Sequence, residues 1–367
     1  MNTTQAIDLE DAEGLVAADR EGLLRAASMA GAAVRSVAAA ADEGELDSLR
    51  VDDRPRSAIW VAGRGTAETA GAMLAATFGG VADEPIVVVG EAPSWVGPLD
   101  VLIVAGDDPG DHALVEAAAT GVRRGARVVV VAPYEGPLRD STAGRVAVLS
   151  PRLPVRDEFG LCRYLAAGLA ALQAVDSGLR IDLAFLADEL DAEALRNSAS
   201  RELFTNPAKT LAARISGRRV ALAGDCAPTI ALARHGSSAL LRIAHQVVAA
   251  TGLADAVVAL RATSGQSDTP SSVDALFHDE EIDGPLPERL RVLALTLADE
   301  RTVVAARVAG LNDIYLIAAE DVPDAPGGLA ASGALPASTG AGRPEQQLAI
   351  LAVRLEMAAV YLRLVRG

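Results

Sequence analysis

The sequence predicts an α/β protein with two doubly wound parallel sheets, each covered by helices on both faces. The clearest evidence is Ser57–Gly90, where an apolar run is followed by a glycine-rich turn, a helical segment and a second apolar run. Apolar runs and helical segments then alternate as far as residue 150, which is typical of a parallel sheet covered on both faces. The same plan recurs between residues 219 and 320, so each half should form a three-layer αβα sandwich.

The first sheet begins at Ile59–Ala62, a short run as apolar as a buried parallel strand should be. The segment Ala67–Phe78 carries alanine, leucine and phenylalanine at helical spacing and predicts the helix that follows. The next apolar and amphipathic segments predict four strands and one helix in this order: Ile86–Val89, Val101–Ala105, the helix Ala113–Arg124, Arg127–Val131 and Val146–Leu149.

Helices are expected on both sides of this unit. Val16–Ala41 has apolar residues at helical spacing and predicts one amphipathic helix. Leu149–Arg156 is a connector that prolines interrupt. Four further helices are predicted after it, at Phe159–Val175, Ile181–Glu189, about Asp191–Ser200 and Ala208–Ile215.

The second sheet is predicted to begin at Arg219–Ala223, which runs into the turn Gly224–Pro228. The segment Thr229–Thr251 is mostly helical in pattern, with Gly236 as the point where the helix could break. The remaining predictions are strands at Ala256–Leu260, Arg289–Thr296 and Asp313–Ala318, a polar loop at Ala262–Asp274, an irregular segment at Pro323–Gly342 and a closing helix at Pro344–Val365.

These patterns divide the chain into five parts. Two α/β subdomains are separated by a helical connector and flanked by helices at either end. The boundaries are an N-terminal helical segment at 1–56, the first subdomain at 57–150, the connector at 151–218, the second subdomain at 219–342 and the C-terminal helix at 343–367.

Composition excludes several classes of function. The formal net charge is −16 and Lys209 is the only lysine, so nucleic acid and anionic membranes are poor partners. Cys162 and Cys226 are too few for a disulfide framework, and no spacing of metal ligands occurs. The sequence carries neither a signal-peptide pattern nor an apolar run long enough to span a membrane, and a cytoplasmic protein without a cofactor is expected.

The turn Gly63-Arg64-Gly65-Thr66 could bind an anion. Unpaired backbone N–H groups at a helix start carry the positive end of the dipole, glycine allows close approach, and Thr66 adds a hydroxyl. Every parallel α/β domain also needs such turns for purely structural reasons, and both interpretations stay open. The spacing is not the dinucleotide-binding fingerprint, because Glu68 stands where its third glycine would be.

Five stretches carry a resemblance to known proteins: VAGRGTAETAG, PRLPVRDEFG, FTNPAKTLAARISGRRVALAG, DIYLIAAED and RPEQQLAILAVRLEMA. Together they resemble the sugar isomerase (SIS) fold and, within it, the bifunctional phosphoglucose/phosphomannose isomerase family. The resemblance covers residues 20 to 367 and looks closest to the actinobacterial TobH-type branch. This resemblance implies aldose–ketose chemistry on a sugar phosphate, in a homodimer.

The resemblance also implies where the catalytic groups should stand. The position of the family's carboxylate base falls at Leu241, that of its histidine at Val257, and that of its C-terminal lysine at Arg354. Its enediolate-stabilising arginine is matched by Arg156. No carboxylate lies between Asp225 and Asp255, so shifting the alignment by a few residues restores no glutamate base.

The family's phosphate loop should follow the strand Val101–Ala105. Here the loop lacks the expected hydroxyl groups and carries three carboxylates that would repel a phosphate. Asp107 or Asp108 could instead cap the next helix or, with Asp111, hold a divalent cation; capping is the favoured interpretation. The candidate ligand-binding residues are Gly63, Arg64, Gly65, Thr66, Gly106, Asp107, Asp108, His235 and Ser237.

Several of these residues also have simpler interpretations. Arg156 could be an ordinary surface arginine of the connector. An exposed helical face is favoured over catalysis for Arg234, His235, Ser237 and Ser238, and His245 is expected at the edge of the core. Both cysteines are expected to be buried as small apolar residues.

Two hypotheses of function follow, and a third is kept beside them. The first is a sugar-phosphate-binding or regulatory protein whose isomerase site is degraded. The second is an active isomerase of altered substrate or chemistry, in which another group such as His245 or Glu158 replaces the lost base. The third is a structural subunit of a dimer that packs through the closing helix.

Overall fold

The structure is a computed structural model that describes residues 7–51, 53–265, 289–321 and 343–366. Its first sheet contains β1 (Ser57–Val61), β2 (Ile86–Val89), β3 (Asp100–Ala105), β4 (Arg127–Val131) and β5 (Ala147–Val148). The order across the sheet is β2-β1-β3-β4-β5, and every neighbouring pair is parallel. The predicted five-stranded parallel sheet is therefore confirmed.

The second sheet contains β6 (Arg219–Gly224), β7 (Ala249–Gly252), β8 (Leu290–Leu295) and β9 (Ile314–Ile317). Its order is β7-β6-β8-β9, and it is also parallel throughout. Both sheets therefore place their first strand between the second and the third, so the predicted repeat of one plan is confirmed at the level of topology.

The helices follow in chain order around these sheets. Their bounds are α1 (Ala12–Ala18), α2 (Leu23–Ala27), α3 (Ala30–Asp42), α4 (Gly65–Phe78), α5 (His112–Arg123), α6 (Gly136–Thr142), α7 (Leu161–Val175), α8 (Leu183–Arg196), α9 (Pro207–Ile215), α10 (Ala227–Ala244), α11 (Leu253–Gly265), α12 (Arg301–Val308) and α13 (Pro344–Arg366). None of the described helices is both long and apolar enough to cross a bilayer.

Several predicted elements differ from those observed. The strand predicted at Ala256–Leu260 is wrong, because these residues lie in α11 and the strand of this region is Ala249–Gly252. Helix α10 runs through Gly236 without a break, because the missing side chain lets Leu222 and Leu355 pack close to the helix. The two helices predicted between Ile181 and Ser200 are the single helix α8.

The N-terminal region and two short helices also depart from the predicted pattern. The single helix expected at Val16–Ala41 is three helices, separated by turns at Asp19–Gly22 and Ser28–Met29. Helices α6 and α12 were missed, since both are short: α6 has seven residues with few apolar side chains, and α12 has eight. Of the loop predicted at Ala262–Asp274, residues 262–265 belong to α11, and the rest lies outside the described residues, as does the whole of the segment predicted at Pro323–Gly342.

One apolar core joins the two sheets. Trp60 and Ile103 of the first sheet and Leu222 and Leu293 of the second belong to the same buried cluster, to which α4, α7, α10 and α13 contribute. The outer faces have smaller clusters of their own: α5 and α6 cover the first sheet, and α11 and α12 cover the second. Each sheet is therefore the middle layer of a sandwich, and the inner helices are shared.

Helix α13 runs through this shared interior. Nearly every side chain from Glu345 to Leu362 is buried, including those of Arg354 and Glu356. Arg354 Nε lies 2.8 Å from Glu193 Oε1 of α8, and its two Nη atoms donate to the carbonyl oxygens of Ala318 and Ala319 at 2.8 and 3.0 Å. One guanidinium thus ties the closing helix both to α8 and to the chain that leaves β9.

The charge of Glu193 depends on this contact. Burial by itself would raise the pKa of the Glu193 carboxyl, but the charge of Arg354 and its hydrogen bonds outweigh burial and hold the pKa below its usual value. A carboxyl whose pKa is lower in the folded state stabilises the fold above its unfolded pKa, and that stability is lost as the pH falls through the folded value. The pair therefore contributes at neutral pH and fails in acid.

We expect Glu193→Gln to lower the free energy of unfolding at pH 7 by about 3 kcal/mol or more, because it leaves the buried guanidinium of Arg354 without a counter-charge. Urea denaturation followed by circular dichroism measures this loss. The difference from the wild type should shrink as the pH falls through the range in which Glu193 is protonated. Asp188→Asn, which removes an exposed carboxylate 2.6 Å from Arg35, is the control and should change stability little. A Glu193→Gln protein as stable as that control would contradict the role of the buried pair.

Candidate functional site

The strand order of the first sheet reverses between β1 and β3, and an open α/β fold places its ligand crevice at such a point. Strands β1 and β3 are neighbours, and the helices that follow them, α4 and α5, pack on opposite faces. The loops Ala62–Arg64 and Gly106–Asp111 therefore separate at the carboxyl end of the sheet, the usual place for a ligand in an open α/β fold. The structure thus brings together two predicted segments, the turn after β1 and the loop after β3.

Carboxylates dominate the β3 side of the crevice. Arg64 Nη2 lies 3.6 Å from Asp107 Oδ1, 3.7 Å from Asp108 Oδ2 and 3.9 Å from Asp111 Oδ2. Asp111, rather than Asp107 or Asp108 as predicted, caps α5, because its Oδ1 accepts from the Ala113 N–H at 2.9 Å. We call Asp107, Asp108 and Asp111 the acidic loop.

The packing of α5 explains why a glycine stands at position 106. A Cβ atom at Gly106 would lie 2.4 Å from Leu114 Cδ1, so glycine is needed there to let α5 pack against the loop. Among the described residues, no three histidine, cysteine or acidic side chains are grouped so that they could hold a metal ion. The acidic loop contacts Arg64, and its Asp111 caps α5.

The β1 side of the crevice is organised by the start of α4. Gly65 has a positive φ of 66°, which favours glycine, and Arg64 provides no side-chain cap. Thr66 is buried, and its Oγ1 lies 3.1 Å from Asp157 Oδ1 and 3.1 Å from the Asp157 carbonyl oxygen. The carboxylate of Asp157, from the 3₁₀ turn Asp157–Phe159, therefore lies beside the first turn of α4.

Asp157 also contacts the second half of the chain. Arg242, in the last turn of α10, places Nη2 2.9 Å from Asp157 Oδ2 and 3.9 Å from Glu158 Oε1. Arg156 Nη2 approaches the same Oε1 of Glu158 at 3.4 Å. Two guanidinium groups from distant parts of the sequence thus meet around one carboxylate next to the crevice.

A third arginine extends this group across the surface. Arg156 Nη1 lies 3.0 Å from Glu21 Oε2, and Arg363 Nη2 lies 2.5 Å from Glu21 Oε1. The network therefore links the N-terminal helices, the connector, α10 and the end of α13. We call it the arginine cluster, and its members are Glu21, Arg156, Asp157, Glu158, Arg242 and Arg363.

Glu158 is the carboxylate of this cluster that the sequence suggested as a replacement for a catalytic base. Burial would raise its pKa, but a backbone hydrogen bond, the hydrogen bond of Arg156 and the charges of Arg156 and Arg242 hold the pKa below its usual value. A general base works best with a pKa near the working pH, and a carboxylate with a lowered pKa is a weak one. Glu158 is therefore placed well for electrostatic contacts and poorly for proton abstraction.

Tyr164, in the first turn of α7, feels the charges of residues on both sides of the crevice. Its side chain is buried, and burial, together with the nearby charges of Asp157 and Asp107, raises the pKa of its hydroxyl to about 12. The guanidinium of Arg163 lies 4.1 Å from the centre of its ring. Tyr164 is therefore neutral at physiological pH and can only donate or accept a hydrogen bond there.

The residues at the catalytic positions that the sequence resemblance implies do not converge. Leu241 is 52% exposed at the end of α10, and Val257 lies in α11 rather than in the predicted strand. Arg354, at the position of the family's lysine, is buried against Glu193 and carries a structural contact. Arg156, in the arginine cluster, is the residue of this set that lies beside the crevice.

His235 and its neighbours also differ from the prediction. Arg234 and Ser238 are exposed, but His235 is buried, and its Nε2 lies 2.9 Å from Glu356 Oε1 of α13, so the exposed helical face predicted for this group is wrong at His235. Ser237 Oγ donates to the Val248 carbonyl oxygen at 2.5 Å. His245 was expected at the edge of the core, but it is exposed. It is the C-terminal cap of α10 and has a left-handed backbone conformation, and its Nε2 lies 3.3 Å from Arg363 Nη1.

The second sheet has a crevice of the same kind with different side chains. Asp225 pairs with Arg307, and Cys226 at the start of α10 has its Sγ 3.2 Å from Thr229 Oγ1. Burial raises the pKa of the Cys226 thiol, so it is not an activated nucleophile. Cys162 is buried as predicted, whereas Cys226 is only partly buried.

Sequence reasoning missed Asp157 and Arg242 as site residues. Asp157 lies within a stretch that was singled out, yet nothing in that stretch shows that its carboxylate reaches the start of α4. Arg242 directly follows Leu241, the position examined for the lost base, but a helical arginine carries no signal of its partner 85 residues earlier in the chain. Both roles arise from tertiary contacts.

The comparisons with known proteins define the fold. No protein-family model matches the chain, and no curated protein matches it in sequence. The tagatose-6-phosphate ketose/aldose isomerase of Escherichia coli superposes with a TM-score of 0.59 at 14% identity, over 96% of this chain and 92% of that one. The C-terminal domain of glucosamine-fructose-6-phosphate aminotransferase of Francisella tularensis gives 0.57 at 10% identity, over 94% and 96% of the two chains. The expected SIS fold is therefore confirmed, whereas identities this low establish no family branch.

Removing the buried partner of Glu356 should weaken the fold and leave ligand binding unchanged. His235→Leu should lower the free energy of unfolding by about 1–3 kcal/mol, because the carboxyl of Glu356 then stays buried without its hydrogen bond. The double variant His235→Leu/Glu356→Met should recover part of the loss, and Arg234→Gln on the exposed side of α10 is the control. Urea denaturation measures these effects. A His235→Leu protein of unchanged stability that loses ligand binding would instead make His235 a binding residue.

Proposed function

We propose that this protein binds a sugar phosphate or a related carbohydrate in the crevice of its first sheet, and that its isomerase site is degraded to a binding or regulatory role. The observation that carries the proposal is the arginine cluster beside the start of α4, in a fold shared with a tagatose-6-phosphate isomerase. Guanidinium groups and a helix start are the usual means of holding a phosphate ester.

The proposed loss of isomerase activity rests on what surrounds the crevice. The family's base and histidine positions hold Leu241 and Val257, which cannot transfer a proton. The groups that could replace them are unsuited: Glu158 has a lowered pKa and is flanked by arginines, and His245 is exposed and bonded to Arg363. Within this proposal the chain is a divergent, cytoplasmic member of the phosphoglucose/phosphomannose isomerase family, in its TobH-type branch.

The binding unit of this proposal is the first subdomain, residues 57–150, together with the connector 151–218. The second subdomain, 219–342, contributes Arg242, and the segments 1–56 and 343–367 contribute Glu21 and Arg363 to the arginine cluster.

An active isomerase of altered substrate remains the second candidate, since Arg156 still lies beside the crevice. The third candidate is a structural dimer subunit that binds no sugar.

Turnover and binding assays on the same samples separate these candidates. The protein is incubated with glucose 6-phosphate, mannose 6-phosphate and fructose 6-phosphate, and both isomerisation and the shift in melting temperature are measured. We expect a ligand-dependent shift without turnover, because the crevice keeps cationic groups and lacks a base. Turnover would contradict the degraded site, and the absence of both signals would favour the structural subunit.

Arg156→Ala should abolish the thermal shift and leave the unliganded melting temperature nearly unchanged, because its guanidinium is half-exposed and its ion pairs add little to stability. Arg152→Ala is the matched control. Arg152 lies on the same connector, and its Nη2 is 2.5 Å from Oε2 of Glu43, which is not a member of the arginine cluster. A shift that survives in the Arg156→Ala protein would place the ligand elsewhere.

The proposal includes a homodimer in which a second copy completes the crevice. The crevice is open at the carboxyl end of the first sheet, where half-exposed side chains such as Arg64 and Arg156 stand. Light scattering at micromolar concentration should therefore return the mass of two chains. The mass of one chain would refute the dimer and leave the binding proposal to the assays above.

A further inference from the structure

Two groups of charged side chains meet at the crevice, and they differ in their numbers of carboxylates and guanidinium groups. In the acidic loop three carboxylates face the single guanidinium of Arg64. In the arginine cluster three guanidinium groups face three carboxylates. A phosphate ester would meet net repulsion at the acidic loop, whereas the arginine cluster could accept it if one of its own carboxylates moved away.

Asp157 is the carboxylate that stands in the way. Its Oδ1 lies 3.1 Å from the hydroxyl of buried Thr66, and its Oδ2 lies 2.9 Å from Arg242 Nη2. The same Oδ2 is 3.3 Å from where a Cβ atom of Gly65 would lie, so the carboxylate is in contact with the first residue of α4. A hydroxyl donor, a guanidinium and a glycine that permits close approach are together the contacts that an oxyanion needs.

We infer that the anionic group of the ligand binds to Thr66 and Arg242 by displacing the carboxylate of Asp157, which is a built-in competitor for the site. The inference rests on the proposed function and specifies where the phosphate binds and what limits its affinity. The anion thereby binds on the α4 side of the crevice, and the loop after β3 takes no part in holding it.

The charge of a phosphate compared with that of Asp157, and the exposure of Arg242 and Asp157, support this exchange. A phosphate monoester carries close to two negative charges at neutral pH and three terminal oxygens, whereas Asp157 offers one charge and two oxygens. The phosphate can therefore accept from Thr66 and from both Nη atoms of Arg242. The side chain of Arg242 is about one-third exposed and that of Asp157 about one-fifth, so the pair is reachable from solvent. Displaced Asp157 can turn towards water without leaving a buried charge.

The inference also explains a role for Arg242 that the fold does not require. Arg242 lies in the last turn of α10, where a cation interacts favourably with the helix dipole, yet an exposed arginine there would serve equally well. Instead its guanidinium spans from the second half of the chain to the start of α4. Binding of the anion between Thr66 and Arg242 would therefore bridge the two halves of the molecule.

Asp157→Asn tests the inference in the full-length protein. Asparagine keeps the size of the side chain and an acceptor for Thr66 but removes the competing charge. The dissociation constants of inorganic phosphate and of fructose 6-phosphate should fall by about tenfold or more, because a charge next to a partly desolvated anion is lost. Adding Arg242→Gln to this variant should abolish the gain. Asp188→Asn, which removes an exposed carboxylate that pairs with Arg35 and with no member of the arginine cluster, is the control and should leave both constants unchanged.

Calorimetric titration of each probe into the wild type and the variants measures the constants, and unphosphorylated fructose shows how much the sugar contributes. If Asp157→Asn fails to fold, the single variant Arg242→Gln is tested instead. The inference then requires this variant to bind phosphate more weakly than the wild type does. An Asp157→Asn protein that folds and binds both anions no tighter than the wild type overturns the inference, even if sugar-phosphate binding itself is real. Tighter phosphate binding in that variant, without binding of any sugar phosphate to the wild type, would instead support the inference and refute the proposed sugar ligand.

Discussion

The contact on which the rest of the structure depends is the buried ion pair between Arg354 and Glu193. Helix α13 lies in the interior shared by both sheets, and an apolar helix in such a place could slide or rotate with little change in buried area. The guanidinium of Arg354 fixes its position, because it must meet Glu193 and two carbonyl oxygens at once. Asn197 adds to this lock, since its Nδ2 donates to Glu193 Oε1 at 2.6 Å and its carbonyl oxygen accepts from Tyr361 at 2.5 Å.

Fixing α13 has consequences for the candidate site. The last turn of α13 carries Arg363, whose contact with Glu21 positions the carboxylate that Arg156 approaches from the other side. The buried pair of His235 and Glu356 fixes α10 against the same helix, and α10 ends at Arg242. The cationic groups beside the crevice are therefore held by helices whose positions are set in the core, although the groups themselves are partly exposed.

Much of the fold could be predicted from the sequence, because parallel strands buried on both faces give apolar runs such as Val101–Ala105 that few other elements produce. The errors have physical causes. All five residues of Ala256–Leu260 are apolar and two of them are β-branched valines, so a helix was taken for a strand, although Val258 on its outer side is exposed. The candidate site was harder, because Arg242 and Asp157 acquire their roles only from a contact across 85 residues, which no local pattern encodes.

The different charge balance on the two sides of the crevice bears on which ligands it can accept: the acidic loop has three carboxylates for one guanidinium, whereas the arginine cluster has three of each. The glycine turn after β1 and the start of α4 belong to the scaffold, and any chain with this topology provides them. What differs is the side chains around them: the loop after β3 carries carboxylates that hold Arg64 and cap α5, and the cationic groups have gathered on the connector and α10. A ligand that needs a strongly cationic pocket and a free base would be excluded from both sides. A ligand that needs only an anion site, and can compete with one internal carboxylate, would still bind.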